Sequence, residues 1–496
     1  MASTGEEIDG TGSPGSPGWA WALVAAATVV AAGLRAPFVG DPSLGYEEVF
    51  TAAIVGHATP GGVWEAVRAT ESTPPLFYLL SWAWVHLVGS QGVATLRTIS
   101  LLAGVATVPV SFAATRCFVS TRVAVAVAWL CAVSPILVGY SIYARSYALF
   151  VLVATASVWA VGALLARPSW ARCLLWAVAA TACLWTHYFG VYLLFAEVVV
   201  LFVRLREARS RLAVAVGAVG LAVLPLWSLF RAQSGASERT AYIAGRPLTG
   251  RVEGIVRELG MGTNVPYAWL EAAGLVLVVG AALAALVGTG RRVSTRVLVA
   301  LAVGGGGLPI LAAVTGVDDH LLPRNIAGIW VCLAALAAWG LTRLRGVPLV
   351  AYSAACVAAV VLAQTDWRYQ AATDWRGASL RVRAVAAGAP VAVMPGYVIP
   401  VAELYLGRRP LAVPVATSDL WVMVEPARGA GQRALNPVAD PPIGRLWGPG
   451  FRPVGEIDYR GFRMIHLRSP TPTVVGPAPA GDNGPPSAPL ALVLAP

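Results

Sequence analysis

The sequence predicts a polytopic α-helical membrane protein with about 11 transmembrane helices, one re-entrant or juxtamembrane helix and a small C-terminal extracytoplasmic α/β domain. Hydrophobic residues make up 57% of the 496 residues and charged residues only 12%, against about 25% charged residues in an ordinary soluble domain. The mean hydropathy of +0.68 is typical of apolar helices joined by short loops. This composition excludes a soluble enzyme.

The net charge of +11 raises the question of a nucleic-acid partner. The arginines are scattered between apolar stretches and form no single basic face, so we expect no nucleic-acid binding. The six cysteines lie in or at the ends of apolar segments and include no CxxC spacing. Neither disulfides nor a zinc site is therefore indicated.

Short arginine-rich loops belong on the cytoplasmic side of a membrane. The loops that meet this description are 167–172, 204–211, 291–296 and 343–345. Their parity places residues 91–96 outside, together with the long polar loop 39–73, so the segment 75–90 cannot span. That segment follows a proline pair and is only about 16 residues long, which predicts a re-entrant or membrane-surface helix.

Changes in composition divide the chain further. Residues 1–18 are predicted to be a disordered cytoplasmic tail, and residues 19–363 a transmembrane module with external loops at 39–94 and 232–266. The second loop is either an amphipathic cover or a solvated loop. Short β-type runs among turns predict a small α/β domain at 364–468. The Pro-rich residues 469–496 are predicted to form a disordered tail.

Polar side chains gather in motifs that this topology places on the external face. In chain order they are GYEEVFT (45–51), ESTPPLFY (71–78), LRTIS (96–100), YARSY (143–147) and THYF (186–189). Charged groups near the membrane are scarce in this chain, and such groups usually serve a function. The motifs therefore mark a candidate site.

In this order the motifs resemble those of glycosyltransferase family 39, a group of C-type membrane glycosyltransferases that includes the protein O-mannosyltransferases and the lipid A aminoarabinose transferases. The resemblance covers roughly residues 19–376 and implies the C-type glycosyltransferase fold. It departs from the family where Glu47-Glu48 replaces an Asp-Glu pair, and where Thr73 stands at a position often held by histidine or lysine.

The resemblance implies an inverting enzyme that transfers a sugar from a polyprenyl-phosphate donor to a protein, lipid or glycan acceptor on the extracytoplasmic face. Such a reaction needs a carboxylate to accept the proton of the acceptor hydroxyl. We expect Glu47 to be this base and Glu48 to orient it or the acceptor, because adjacent helical positions point about 100° apart. The alternative is a solvated loop carboxylate pair.

Cations must hold the lipid phosphate that leaves. Arg97, Arg145 and Arg324 are the candidates, because a guanidinium offers a planar fork of donors to phosphate oxygens; each could instead be an interfacial anchor. Further donor-binding candidates stand beside them in the motifs: Tyr143, Tyr147, His187 and Tyr188. His187 could equally be a packing residue.

No cofactor is expected. His57, Glu71 and His320 could supply metal ligands, but their spacing fits no known ligand pattern, so a divalent metal is not indicated. Membrane lipids are expected partners of a multi-pass protein of the cell (plasma) membrane. A multi-span transporter and a lipid-binding membrane protein without catalysis remain the alternative functions, although mid-span positions are almost free of charge.

Overall fold

The computed structural model describes residues 17–40, 43–235, 243, 245–289, 293–366, 373–386, 388–425, 450–477 and 492–495. The chain divides into two compact units. The membrane unit contains Met1–Val39 and Thr51–Val361, and the C-terminal unit contains Gly40–Phe50 and Leu362–Pro496. The predicted acidic pair thus belongs to the same unit as the C-terminal domain, although more than 300 residues separate them in sequence. The N-terminal tail before residue 17 lies outside the described residues.

All the regular secondary structure in the described residues up to 366 is helical. Its α-helices, in chain order, are α1 (Gly18–Arg35), α2 (Tyr46–Val55), α3 (Pro60–Thr70), α4 (Leu76–Val88), α5 (Val93–Thr115), α6 (Thr121–Val133), α7 (Pro135–Ser141), α8 (Tyr147–Ala166), α9 (Trp170–Thr186), α10 (Gly190–Arg204), α11 (Arg209–Ser234), α12 (Leu248–Met261), α13 (Ala268–Thr289), α14 (Val293–Thr315), α15 (Pro323–Ile326), α16 (Trp330–Leu341) and α17 (Val347–Thr365).

Several of these helices are long and apolar enough to cross a membrane. Within the described residues there are 8 such segments, or 9 if the bent pair α6 and α7 forms one span. This confirms a multi-pass helical membrane protein. The number eleven stays a prediction, because α9 and α10 measure only about 26 and 23 Å, against about 30 Å of hydrocarbon. Helix α4 is about 20 Å long, and its re-entrant or surface position also stays a prediction.

A bend of 55° separates α6 from α7. Pro135 opens α7 and has no backbone N–H, so the helix cannot continue and the last carbonyls of α6 lose their partners. The fully buried Arg35 of α1 replaces those partners, donating to the carbonyls of Ala132 at 2.7 Å and Cys131 at 3.1 Å. Its Nε also donates to the Ser141 hydroxyl at 3.0 Å. One cation therefore stabilises both sides of the bend.

The predicted second external loop contains an amphipathic helix. In α12, Arg251, Ile255 and Leu259 are buried on one face, while Val256 is exposed. The structure therefore favours an amphipathic segment over an irregular solvated loop in this part of 232–266. Residues 236–242 lie outside the described residues.

The C-terminal unit contains a five-stranded sheet in the order β3-β4-β2-β1-β5. Its elements are α18 (Trp375–Val385), β1 (Val391–Met394), α19 (Ile399–Leu406), β2 (Val415–Val424), β3 (Arg452–Tyr459), β4 (Phe462–Val475) and β5 (Leu492–Leu494). Strands β1 and β2 are parallel, and the other neighbours are antiparallel. Side chains alternate between the faces, so Val391 and Val393 pack with the two helices while Ala392 and Met394 face the opposite core. The predicted small α/β domain is confirmed.

The sheet extends past residue 468, where the sequence predicts the domain to end. Strand β4 runs to Val475, and β5 pairs with β1 at the edge of the sheet. The boundary at 468 is therefore wrong: a short apolar run inside a Pro-rich stretch is sufficient for an edge strand, where prolines are tolerated nearby. The remainder of the predicted tail, 478–491, lies outside the described residues.

Candidate active site

A buried ion pair joins two of the predicted motifs. Arg145, in the loop between α7 and α8, donates from Nη1 to Glu71 Oε1 at 2.7 Å and from Nη2 to Glu71 Oε2 at 2.8 Å. The two side chains are only 9% and 5% exposed. Such a two-pronged contact between ionised groups is among the stronger hydrogen-bonded arrangements in proteins. Arg145 is therefore a buried, oriented cation and not a solvent-facing anchor.

The backbone around Arg145 is also fixed. The Ser100 hydroxyl donates to the Arg145 carbonyl at 3.1 Å, and the Thr51 hydroxyl donates to the Ala144 carbonyl at 2.9 Å. The Arg145 guanidinium carbon lies 5.8 Å from the centre of the Tyr78 ring, within the range of a cation–π contact. Three sequence motifs, 71–78, 96–100 and 143–147, thus meet at this loop.

A second cation and a histidine lie beside this loop. Arg324, near the start of α15, has its guanidinium carbon 5.6 Å from the centre of the Tyr147 ring. His187 stacks on Phe150 with ring centres 4.7 Å apart and 24° between the planes. Tyr147 and Phe150 both lie in the first turn of α8, which begins two residues after Arg145, so the two arginines and His187 gather around the same turn. We refer to the two cations Arg145 and Arg324, together with the histidine His187 beside them, as the cationic cluster.

His187 follows the end of α9 and is 4% exposed. Burial, followed by the nearby charges of Arg324 and Arg145, lowers its pKa to about 3. The ring is therefore neutral near pH 7. Its Nδ1 lies 3.3 Å from the backbone nitrogen of Phe189, whose N–H donates to it, which assigns the proton to Nε2. His187 can thus donate a hydrogen bond from Nε2 without adding charge.

Tyr188 belongs to a neighbouring polar network. Its hydroxyl donates to Gln233 Oε1 at 2.8 Å, and Gln233 Nε2 donates to the carbonyls of Val67 at 3.1 Å and Thr73 at 3.2 Å. The network joins the end of α11 to the segment that carries Glu71. Tyr188, predicted as a donor-binding residue, is placed in a contact that organises this segment.

Two further candidates occupy different surroundings. Arg97 is 2% exposed and donates from Nη1 to the Val39 carbonyl at 3.3 Å, so its guanidinium is buried within the protein. Tyr143 is half-buried, and its carbonyl accepts from the Arg145 N–H at 2.7 Å. At the position where the family often has histidine or lysine, the Thr73 hydroxyl lies 3.3 Å from the Tyr78 hydroxyl.

The acidic pair lies in the first turn of α2, within the C-terminal unit. Glu48 is fully buried, and its Oε2 accepts from the Gly45 N–H at 2.8 Å. A glutamate that reaches back in this way to the residue before the helix forms half of a capping box. Glu47 is half-buried. The two carboxylates thus differ in their surroundings, and a solvated loop pair is wrong for Glu48.

The three side chains considered as metal ligands lie in different surroundings. Glu71 is paired with Arg145, His57 is exposed, and His320 Nδ1 is hydrogen-bonded to Asp318 Oδ1. The contact with Asp318 raises the pKa of His320. Across the described ranges, no three His, Cys, Asp or Glu side chains meet in a way that could hold a metal ion.

Glu71 was predicted as a motif residue and a possible metal ligand but not as the partner of Arg145, and Gln233 was not predicted at all. Glu71 carried a signal, because it is a carboxylate within a motif of a chain that has few charges. Its pairing with Arg145 could not be read from spacing, since 74 residues separate them. Gln233 carried no signal, because it ends a long apolar helix among other polar residues.

Comparison with solved structures identifies the fold. The chain is similar to the crystal structure of ArnT from Cupriavidus metallidurans bound to undecaprenyl phosphate, with a TM-score of 0.54, 14% sequence identity, and coverage of 90% of this chain and 98% of that chain. The apo structure of the same protein matches equally, with a TM-score of 0.54. At this identity the likeness shows the fold, and the predicted C-type glycosyltransferase fold is confirmed.

Weaker similarities extend to other solved structures. The archaeal oligosaccharyltransferase AglB from Archaeoglobus fulgidus matches with a TM-score of 0.44, 14% identity, and coverage of 78% of this chain and 59% of that chain. The arabinofuranosyltransferase AftD from Mycobacteria matches with a TM-score of 0.45, 12% identity, and coverage of 92% and 40%. No protein-family model matches the sequence, and no curated protein matches it.

Proposed function

We propose that this chain is an inverting membrane glycosyltransferase that transfers a sugar from a polyprenyl-phosphate donor to an acceptor hydroxyl on the extracytoplasmic face of the plasma membrane. The observation that carries the proposal is the cationic cluster: two arginines and a neutral histidine at the ends of apolar helices, among aromatic rings. Oriented cations at a membrane surface suit an anionic lipid headgroup.

Within the cluster the three groups have different tasks. Glu71 orients the Arg145 guanidinium, and we assign the contacts with the donor phosphate to Arg145 and Arg324. His187 Nε2 would donate to a phosphate or sugar oxygen as a neutral group. The ArnT structure of the same fold holds undecaprenyl phosphate, which supports a polyprenyl phosphate as the donor class.

The chemical step is a single displacement. The acceptor hydroxyl gives its proton to the Glu47 carboxylate while its oxygen attacks the anomeric carbon from the face opposite the phosphate. The bond between the anomeric carbon and the phosphate oxygen breaks, and the electron pair leaves with the lipid phosphate. One bond forms as one breaks, so the anomeric configuration inverts. The acceptor is a protein, lipid or glycan hydroxyl.

Two features of the acidic pair support this assignment. Glu48 uses one oxygen to cap its own helix, which fixes the first turn of α2. Glu47 is the more accessible of the two, so its carboxylate can reach an acceptor. Glu48 then orients Glu47 through the geometry of the helix and does not exchange the proton itself.

The test uses purified protein in liposomes and a panel of radiolabelled polyprenyl-phosphate sugars, with mannose, arabinose and glucose as the sugars. We expect one donor to yield a labelled acceptor with the wild type and not with Glu47→Gln. Glu65→Gln is the matched control, because Glu65 is 65% exposed and pairs with Arg68 on the surface of α3. Label that crosses the bilayer unchanged would indicate a transporter. Saturable binding without turnover would indicate a lipid-binding protein, and either outcome overturns the proposal.

A further inference from the structure

The segment that carries the acidic pair is attached to the C-terminal domain by specific polar contacts. The Leu44 N–H donates to the Tyr405 hydroxyl of α19 at 2.8 Å, across 361 residues of sequence. Leu44 is only 3% exposed, so this N–H has little access to water. Loss of the acceptor would leave a buried donor unsatisfied, which is costly.

A second contact lies at the start of α18. The first N–H groups of a helix have no partner within the helix. Asp374 caps one of them, accepting from the Gly377 N–H at 2.9 Å, and Ser43 Oγ accepts from the Arg376 N–H at 2.8 Å. The chain just before the acidic pair therefore completes the cap of a helix that lies 333 residues later.

A third contact is apolar. Val49, which directly follows Glu48, packs against the core formed by the helices and one face of the sheet, including Trp375 and Phe462. The segment Ser43–Val49 is thus held on both sides of Glu47: by hydrogen bonds at Ser43 and Leu44, and by packing at Val49. All of these contacts lie within the C-terminal unit.

We propose that the C-terminal domain is a positioning element for catalysis, in which Tyr405 and the N-terminus of α18 fix the backbone before Glu47 and so set the place of the general base. This inference rests on the proposed function. A base must reach the hydroxyl within hydrogen-bonding distance, and a displacement of about 1 Å can cost about 100-fold in rate. Tyr405 and Ser43 touch neither substrate nor reacting atoms, so they act through Glu47.

The test compares Tyr405→Phe with Ser469→Ala. Each removes one hydroxyl from the same domain, but the Ser469 hydroxyl contacts the Thr473 hydroxyl at 2.9 Å within β4. We expect Tyr405→Phe to lower kcat by about 10-fold or more with little change in KM for the donor. Ser469→Ala should keep the wild-type kcat, because its contact is made within one strand and not with the segment 43–49 or the start of α18. Equal kcat in the two variants overturns the proposal.

Ser43 provides a second test with a rescue. Ser43→Ala removes the oxygen that accepts from the Arg376 N–H, whereas Ser43→Thr keeps a hydroxyl in the same place. We expect kcat to fall in the alanine variant and to stay near wild type in the threonine variant, at similar melting temperatures. A fall in both variants, or in neither, overturns the proposal.

Hydrogen exchange separates this inference from the proposed function. Exchange at Leu44–Glu48 should become faster in Tyr405→Phe and in Ser43→Ala and should be unchanged in Ser469→Ala. If the protein transfers no sugar from any donor, the proposed function fails whatever the exchange shows. If it transfers sugar, and exchange rises in Tyr405→Phe while kcat does not fall, the positioning role fails alone.

Discussion

The contact between Arg145 and Glu71 determines how substitutions at either residue should behave. A buried ion pair contributes little net stability compared with a well-packed apolar pair, but removing one partner leaves an uncompensated charge. The pair also sets the direction of the Arg145 guanidinium beside Tyr78. Effects on donor binding and on folding must therefore be measured together at this position.

We predict that Arg145→Ala destabilises the protein by about 3–5 kcal/mol, because it leaves the Glu71 carboxylate buried without its cation. The double variant Arg145→Ala with Glu71→Ala should lose less stability than the sum of the two single variants. Thermal unfolding of the four proteins measures this. If the stability loss of the double variant equals the sum of the losses of the two single variants, the ion pair is not the dominant contact of these residues.

Donor binding gives a separate prediction at the same residue. Arg145→Lys keeps the charge but cannot form the two-pronged contact, so donor affinity should fall in the order Arg, Lys, Ala in the folded fraction. Titration with the donor identified in the transfer assay measures the three affinities. Equal affinities in the three proteins would show that Arg145 does not bind the donor and has only a structural role.

The lowered pKa of His187 predicts that the stability of the protein depends on pH. Its pKa is lowered to about 3 in the folded protein, against an ordinary value near 6.5 when unfolded. Between these values the unfolded chain binds a proton that the folded chain does not, so stability falls as the pH drops below about 6.5. We expect His187→Gln to lose less stability than wild type between pH 7 and pH 4.5. His86→Gln, at an exposed histidine, should follow wild type.

At the residue scale, the sequence identified most of the side chains that meet. Arg145, Tyr147, His187 and Arg324 were predicted from motifs and do lie together. The ion pair with Glu71 could not be predicted, because a polar residue in a charge-poor chain reveals that it is buried or functional but not which partner it contacts.

At the scale of elements, the bend between α6 and α7 explains how a span can lead into the loop that carries Arg145. The proline that starts α7 was visible in the sequence, and a break there follows from its missing N–H. The role of Arg35 was not visible. A single arginine at the end of the first apolar run has the same pattern as a topology signal, yet here it is fully buried.

We predict that Arg35→Lys destabilises the protein in detergent by about 2 kcal/mol or more, because an ammonium cannot reach all the carbonyls that the guanidinium serves across the bend. Arg122→Lys, at the exposed start of α6, is the charge-matched control and should be neutral. Unfolding temperatures in the same detergent compare the two variants. Equal unfolding temperatures would show that the guanidinium of Arg35 is not needed to stabilise the bend between α6 and α7.

At the scale of the whole molecule, composition predicted a multi-pass helical protein, and the motif order predicted its fold. The assignment of the segment 43–49 to the C-terminal unit was beyond sequence reasoning, because hydrogen bonds across 333 and 361 residues leave no local pattern. The end of the domain was misplaced for a related reason: the edge strand Leu492–Leu494 is three residues long, too short for periodicity to detect.

Topology is testable on the whole molecule by cysteine labelling. Of the native cysteines only Cys117 is exposed and the other five are buried, so a Cys117→Ser background is suitable. Single cysteines placed at Ser72, Gln91 and Ser234 should all react with an impermeant reagent from outside the cell. Gln91 is the decisive position, because a reaction only from the cytoplasm would mean that α4 spans the membrane.

Single-turnover kinetics with the donor identified in the transfer assay test whether Glu47 is the base of a sugar transfer. Glu47→Gln keeps the size of the side chain but cannot accept the proton, so the transfer rate should fall by at least about 100-fold while the donor Kd stays within about 2-fold of wild type. Glu48→Gln should lose less, since the amide oxygen can still accept from the Gly45 N–H. A wild-type transfer rate in Glu47→Gln would show that Glu47 is not the base.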